Sequence, residues 1–228
     1  MDALISNPFQ LKVTRPPKNL RQLAYDKLRG AIFNAIFEPG DRLIERDLCD
    51  QLDVSRSVIR EVLRQLEAEG LVEIVPKQGP VVATLSPSKA KEIYEIRALL
   101  EMLAVKACVE KGNITQIDEL SQLVDEIDAA FEKGNPAEVL EQTNRFYEQL
   151  FAVGEKPFAW EMVQSLNARI NHLRLQTISS PKRHKDAIEE LRKIILAIRA
   201  QDILAAEKAS SEHIQSVSSI GVSLLEDG

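Results

Sequence analysis

The chain has 228 residues, 44% of them apolar and 28% charged, with only 9 glycines and 5% aromatics. That length buries a real core in one large domain or two small ones, and the low glycine and aromatic content argues against a β-sandwich or barrel and for a mostly helical chain. The net charge of −6 lies wholly beyond residue 84, because residues 1–84 carry 12 basic and 12 acidic side chains while residues 85–228 carry 17 and 23; a neutral part joined to an acidic part predicts two domains, and binding nucleic acid through a local basic face needs no basic total.

Residues 1–18 mix polar side chains with Pro8, Pro16 and Pro17 and read as a flexible N-terminal arm. Asn19 is placed to cap a helix that runs to about Phe37, with apolar residues at Leu20, Leu23, Tyr25, Leu28, Ile32 and Ile36. Pro39-Gly40-Asp41 ends it as a turn. A short helix over residues 44–52 follows, then a tight turn at Asp53-Val54. Ser55 caps a third helix that runs to about Glu69 and closes at Gly70, with Val58, Ile59, Val62, Leu63 and Leu66 on its inner face. Two short β-like runs, 71–75 and 80–84, flank a hairpin tip at Pro76-Lys77-Gln78-Gly79. Residues 19–84 thus predict a winged helix-turn-helix, and Ser86-Pro87-Ser88 marks a linker over residues 85–88.

Residues 89–228 show no strand pattern. Six apolar stripes step by three and four: Ile93, Ile96, Leu100, Leu103 and Ala107; Ile117 to Phe131; Val139 to Leu150; Trp160 to Leu173; Ile188 to Ile198; and Ile203 to Ile220. They predict an all-α antiparallel bundle of six helices. The fold class is therefore mostly α, with an N-terminal winged helix-turn-helix and a C-terminal helical domain.

In a helix-turn-helix the second helix faces outward and enters the major groove with its first residues. Here that helix opens Ser55-Arg56-Ser57-Val58-Ile59-Arg60. An arginine fork grips guanine O6 and N7 together, and the free N–H groups of a helix start suit a phosphate. Arg46 on the preceding helix is placed for backbone or base, and the hairpin tip with Lys77 and Gly79 for a neighbouring minor groove. The competing reading is a solvated face of a helical subdomain.

At these residues the chain resembles a family. Pro39-Gly40-Asp41-Arg42-Leu43-Ile44-Glu45-Arg46-Asp47-Leu48, Val54 to Leu63, and Leu66 to Val72 are similar to the entry, recognition helix and close of the DNA-binding domain of GntR-family transcription regulators. The resemblance implies DNA contacts at Arg46, Arg56, Ser57, Arg60 and Gly79; Val58 departs from the proline or threonine common there. Tyr94 to Glu101, Ala197 to Asp202, Ala206 and His213-Ile214 resemble the ligand-sensing bundle of the FadR-type subfamily, the FCD domain. This implies a homodimer on a palindromic double-stranded DNA operator, a repressor whose DNA affinity answers to a small effector. The effector expected is an organic acid, with an acyl thioester next.

Many members of that subfamily hold a divalent metal by an Asp and a His four residues apart, a His on a later helix and a His on the last. Those positions fall here on Thr143, Tyr147, Leu191 and His213. Only His213 is a good ligand, and a metal needs about three. The resemblance therefore implies a degraded site and no metal cofactor, and Arg145 beside it further disfavours a cation. Thr143, Tyr147 and His213 still face inward by period, and Arg97 and Arg174 border their stripes, so these five residues form the candidate effector pocket. An inward arginine holds a carboxylate bidentately. Against this, Arg97 and Glu101 have the spacing of a surface pair, His213 fits a satisfied core histidine, Asn171-His172 reads as an exposed helix face, and Lys182-Arg183-His184-Lys185 reads as a solvated loop or, second, a run that faces DNA.

No P-loop, G-x-S-x-G, H-E-x-x-H or Rossmann glycine fingerprint is present, so enzyme chemistry has no support. No run of about 18 apolar residues spans a membrane, and the start lacks the basic and apolar stretches of a secretory signal. The two cysteines, Cys49 and Cys108, are isolated and fit a reducing cytoplasm. The alternative functions are a helical binding protein acting through protein partners, or a metal-dependent member of the same sensor subfamily.

Overall fold

The computed structural model describes residues 19–33 and 36–227, so the arm expected over residues 1–18 lies outside the described part. The N-terminal domain runs α1 (Leu20–Phe33), α2 (Glu45–Leu52), α3 (Arg56–Ala68), β1 (Val72–Val75) and β2 (Gly79–Val82). Of the residues expected at its end, Ile36 and Phe37 form a bend, and positions 34 and 35 lie outside the described residues. The tight turn between α2 and α3 places Asp53 in the left-handed region (φ 50°), which an Asp tolerates better than most residues. Ser55 caps α3 by accepting from the Val58 amide, satisfying one of the free N–H groups of the first turn.

The inner face of α3, Ile59, Val62, Leu63 and Leu66, packs with Leu28, Leu43, Leu48, Val72 and Val82. Strands β1 and β2 pair antiparallel in the register Val72↔Val82 to Val75↔Gly79. An isolated bridge between Arg42 and Val81 ties the turn after α1 to this hairpin. The wing is thus held at its base, and its tip carries Lys77 (φ 68°) and Gly79 (φ 89°).

Helix α4 (Pro87–Lys111) begins inside the stretch expected as a linker, because Ser86 caps it and Pro87 occupies its first position. It is followed by α5 (Ile114–Glu132), α6 (Pro136–Val153), α7 (Pro157–Arg169), α8 (Asn171–Ile178), α9 (Arg183–Arg199) and α10 (Ile203–Glu226). The stripe expected as one helix from Trp160 to Leu173 is two, broken at Ile170 (φ −110°, ψ 13°). The break serves two cores. Trp160 and Val163 join the main bundle core with Phe146, Leu150 and Phe151, whereas Ile170 and Leu173 join a second cluster with Ile93, Tyr94 and Ile214.

Helix α4 buries only part of the stripe expected: Ile93 and Ala107 are buried and Leu100 packs against the core. Ile96 and Leu103 are exposed, as is Leu99 between them, while Tyr94, Arg97, Glu101, Ala104, Val105 and Cys108 are buried. An apolar stripe misleads here because Arg97 and Glu101 enter the core as a pair, bonded through Glu101 Oε1, while Glu101 Oε2 is buried with no hydrogen-bond partner.

The end of α6 approaches α4 closely through its C-cap Gly154, where an added Cβ would stand 2.9 Å from the Ala104 carbonyl oxygen and 3.2 Å from the Ala107 Cβ. Backbone cannot yield as a side chain end does. Gly154→Ala is therefore expected to destabilise the fold by about 1–3 kcal/mol through overpacking, measured by urea unfolding; an unchanged midpoint would contradict the packing described.

Candidate functional site

Two sites emerge. The first is the outer face of α3. Ser55, Arg56, Ser57 and Arg60 are all exposed there, one or two turns from the helix start. The Ser55 and Ser57 hydroxyls lie 2.8 Å apart. Arg60 rests on Glu45 of α2 with Nε 3.0 Å from the carboxylate, and Arg46 rests on Asp47 at 3.2 Å. Both arginines are more than half exposed, so these are surface pairs of small value in water. A phosphate or guanine edge competes with them at little cost. Lys77 is exposed on the wing tip and Gly79 is half-buried at its edge.

The second site is a cavity of about 50 Å³ inside the helical domain. It brings together all five residues expected to meet there: Arg97, Thr143, Tyr147, Arg174 and His213. Leu191 lines it too, and so does Arg183. The rest of the wall is apolar, with Ile127, Phe131, Val139, Ile178 and Val217.

Each polar group has a definite state. Arg97 is buried and directs both Nε and Nη2 to Glu101 Oε1, at 3.1 and 2.7 Å. The pair is thus internal, not a surface pair, and it occupies the fork of Arg97. Thr143 donates its hydroxyl to the Val139 carbonyl at 2.7 Å. Burial pushes the Tyr147 phenol well above its usual range, and the Glu101 charge adds to this. Arg174 gives Nη2 to Asn144 Oδ1 at 2.9 Å, but its Nη1 is buried with no partner. Burial, and then repulsion from Arg97, pull the Arg174 guanidinium down to about 10.

Arg183, read from sequence as part of a solvated loop, is instead buried and bonds Glu190 at 2.8 Å. The missed signal is periodic: Arg183, Ala187, Glu190 and Ile194 recur at helical spacing on α9. His213 Nδ1 is 2.8 Å from Glu190 Oε2 and 3.4 Å from Arg183. The shorter contact assigns the proton to Nδ1, donating to the carboxylate. Burial lowers the His213 pKa and keeps the ring neutral. Burial alone would raise Glu190, but the His213 hydrogen bond and the charge of Arg183 outweigh it and hold the carboxyl at about 2.

The donors at the four metal positions do not fit a divalent ion. Thr143 is bonded to backbone, Tyr147 is a phenol held protonated, and Leu191 has no donor. That leaves His213 alone, in a wall that also carries Arg97, Arg174 and Arg183. Among the described residues, no group of three or more His, Cys, Asp or Glu is arranged to hold a metal.

The cavity and the N-terminal domain share one short helix. Arg174 and Thr177 of α8 line the cavity. At the other end of α8, Asn171 is buried and donates Nδ2 to the Phe33 carbonyl of α1 at 2.9 Å; it is not the exposed position expected from sequence. Just before α8, Ala168 packs into the core of the N-terminal domain, and the Arg169 guanidinium lies over Gly70 at the end of α3.

The chain matches two families, "Bacterial regulatory proteins, gntR family" over residues 20–82 and "FCD domain" over residues 92–216. It is 28% identical over 201 residues to the uncharacterised HTH-type transcriptional regulator YdhC of Bacillus subtilis (strain 168), covering 85% of this chain and 90% of that one. It is 24% identical to the HTH-type transcriptional repressor RspR of Escherichia coli (strain K12), covering 92% and 90%. Among solved structures, Escherichia coli McbR/YncC superposes with a TM-score of 0.73 at 23% identity, over 92% of this chain and 99% of that one.

Two measurements check the cavity. Glu101→Gln leaves the Arg97 charge buried and unpaired, so it is expected to cost about 3–5 kcal/mol in urea unfolding. His213 is held neutral in the fold and binds a proton more readily when unfolded, so stability is full above about pH 6.5 and falls as the pH drops below it. A melting temperature series from pH 8 to pH 5 should show that loss, and His213→Gln should flatten it. Glu190 adds a second loss only between its unfolded value, near 4.5, and about 2.

Proposed function

The chain belongs to the GntR family of bacterial regulatory proteins and carries an FCD domain, and from that membership we propose that it binds a palindromic operator as a homodimer and represses transcription until a small organic acid enters its helical domain. It is a transcription regulator rather than an enzyme. The observation that carries the proposal is the outer face of α3, where Arg56, Ser57 and Arg60 stand exposed beside Arg46 and the wing lysine Lys77. A rigid core holds the helix behind them, so the arginines meet base edges without reorganising the fold.

The dimer is supported by α4. Ile96, Leu99 and Leu103 lie 38, 65 and 44% exposed at helical spacing on one face. An apolar stripe of this kind on a soluble domain favours a partner, and an isologous interface with a second copy matches two half-sites. Effector control is supported by α8, which carries Arg174 at the cavity and Asn171 at α1. A ligand that engages Arg174 differently in two arrangements of the domains shifts their populations, by no more than its differential affinity for them. Among the described residues no helix is long and apolar enough to cross a membrane, and the proposed place of action is the cytoplasm with the DNA.

Selection of binding sites from a random DNA pool tests the reading. Recovered sites are expected to be inverted repeats, with affinity falling steeply as salt rises. Arg56→Ala or Arg60→Ala should each cost about 1–3 kcal/mol on the selected site. A folded protein that enriches no sequence would contradict the proposal. Leu99→Asp is expected to give monomers by light scattering, with loss of affinity for the full palindrome.

A further inference from the structure

Inside the helical domain the buried charges do not balance. Among the described residues, the arginines buried around the cavity are Arg97, Arg174 and Arg183. Their carboxylate partners are Glu101 for Arg97 and Glu190 for Arg183. Arg174 has none: its one polar contact is the neutral Asn144 amide, and its Nη1 is orphaned at 5% residue exposure. His213 is neutral and donates to Glu190, so it supplies no counter-charge. One positive charge is left over, in the wall of a small cavity. A buried unpaired charge is costly and is met with at a site that takes a counter-ion.

The outer side of Arg174 faces a second, larger cleft of about 830 Å³ that opens between α1, α6 and α7. Arg174 and Asn144 both border that cleft, and Arg174 alone of the two lines the inner cavity. The Arg174–Asn144 contact therefore stands between solvent and the cavity.

We propose that the inner cavity binds a monoanionic carboxylic acid with a short apolar tail, directly on Arg174 and without any metal ion. The inference rests on the effector reading above and narrows it. Charge selects the monoanion, because a second carboxylate would face Glu101 and Glu190 with no guanidinium to spare. Volume selects a short chain, since about 50 Å³ is room for about four water-sized groups. The wall selects an apolar tail, with Ile127, Phe131, Val139, Leu191 and Val217 around it. Metal-free binding follows from the donors: a guanidinium does for the carboxylate what a divalent ion would do, and the cavity already repels cations. Thr177 and Tyr147 line the same wall, so a hydroxyl at the second carbon of the acid also meets polar atoms.

Calorimetric titration of the full-length, chelator-treated protein tests this with acetate, propionate, butyrate, succinate and the uncharged isostere propionamide. Propionate is expected to saturate one site per chain. Propionamide and succinate are expected to bind about tenfold more weakly or worse, the scale of one lost charged hydrogen bond. Arg174→Gln should cause a similar loss for propionate, and added zinc should change nothing. If that variant does not fold, the ligand series on the natural chain carries the test alone. Tighter binding of succinate, equal binding of propionamide, a requirement for zinc, or no binding of any of these acids would overturn the proposal. The same preparation titrated with its selected DNA site reports separately on the regulator reading, which stands or falls with the Arg60 dependence of that titration.

Discussion

A charged cluster sealed inside the helical domain governs much of this structure. Arg97 with Glu101, Arg183 with Glu190 and His213, and the unmatched Arg174 come from α4, α8, α9 and α10 and meet around one cavity. Two of these groups are ion-paired and add rigidity, because breaking either pair leaves a charge in a poorly polarisable interior. The third guanidinium is held open by the fold around it. The same low dielectric that makes the pairs costly to break makes the open charge a strong attractor for an anion.

The cluster explains the shape of α4 and α8. Arg97 and Glu101 enter the core together, one turn apart, so α4 rotates its apolar Ile96, Leu99 and Leu103 outward. The break at Ile170 gives α8 its own direction. Freed from α7, that helix places Arg174 and Thr177 at the cavity and Asn171 against the end of α1. The helical domain and the N-terminal domain are therefore joined through eight residues of helix, with Ala168 and Arg169 just before them pressed on the N-terminal core. Any ligand that pulls on Arg174 pulls on an element seated in both domains.

The exposed basic face of α3 was legible from sequence because its signals are local: a capping serine, a turn too short for anything else, and basic residues in the first turns of one helix. The cavity residues Thr143, Tyr147 and His213 were legible from helical period. What sequence hid depended on tertiary pairing. Arg97 and Glu101 have the spacing of a solvent pair, and only packing shows that they are internal. Arg183 sits in a basic run that composition assigns to solvent, yet Glu190 and His213 draw it inside. The break at Ile170 leaves no proline or glycine behind, so periodicity runs straight through it. Asn171 reads as polar surface until its partner, a backbone carbonyl 138 residues away, is known.

The most direct test of the coupling is the affinity of the protein for its selected DNA site with and without a saturating short carboxylic acid, in the natural chain and in Asn171→Ala. The account predicts that the acid changes DNA affinity in the natural chain, and that the change shrinks in Asn171→Ala although this variant binds the acid equally well. An equal change in both proteins would contradict transmission through α8.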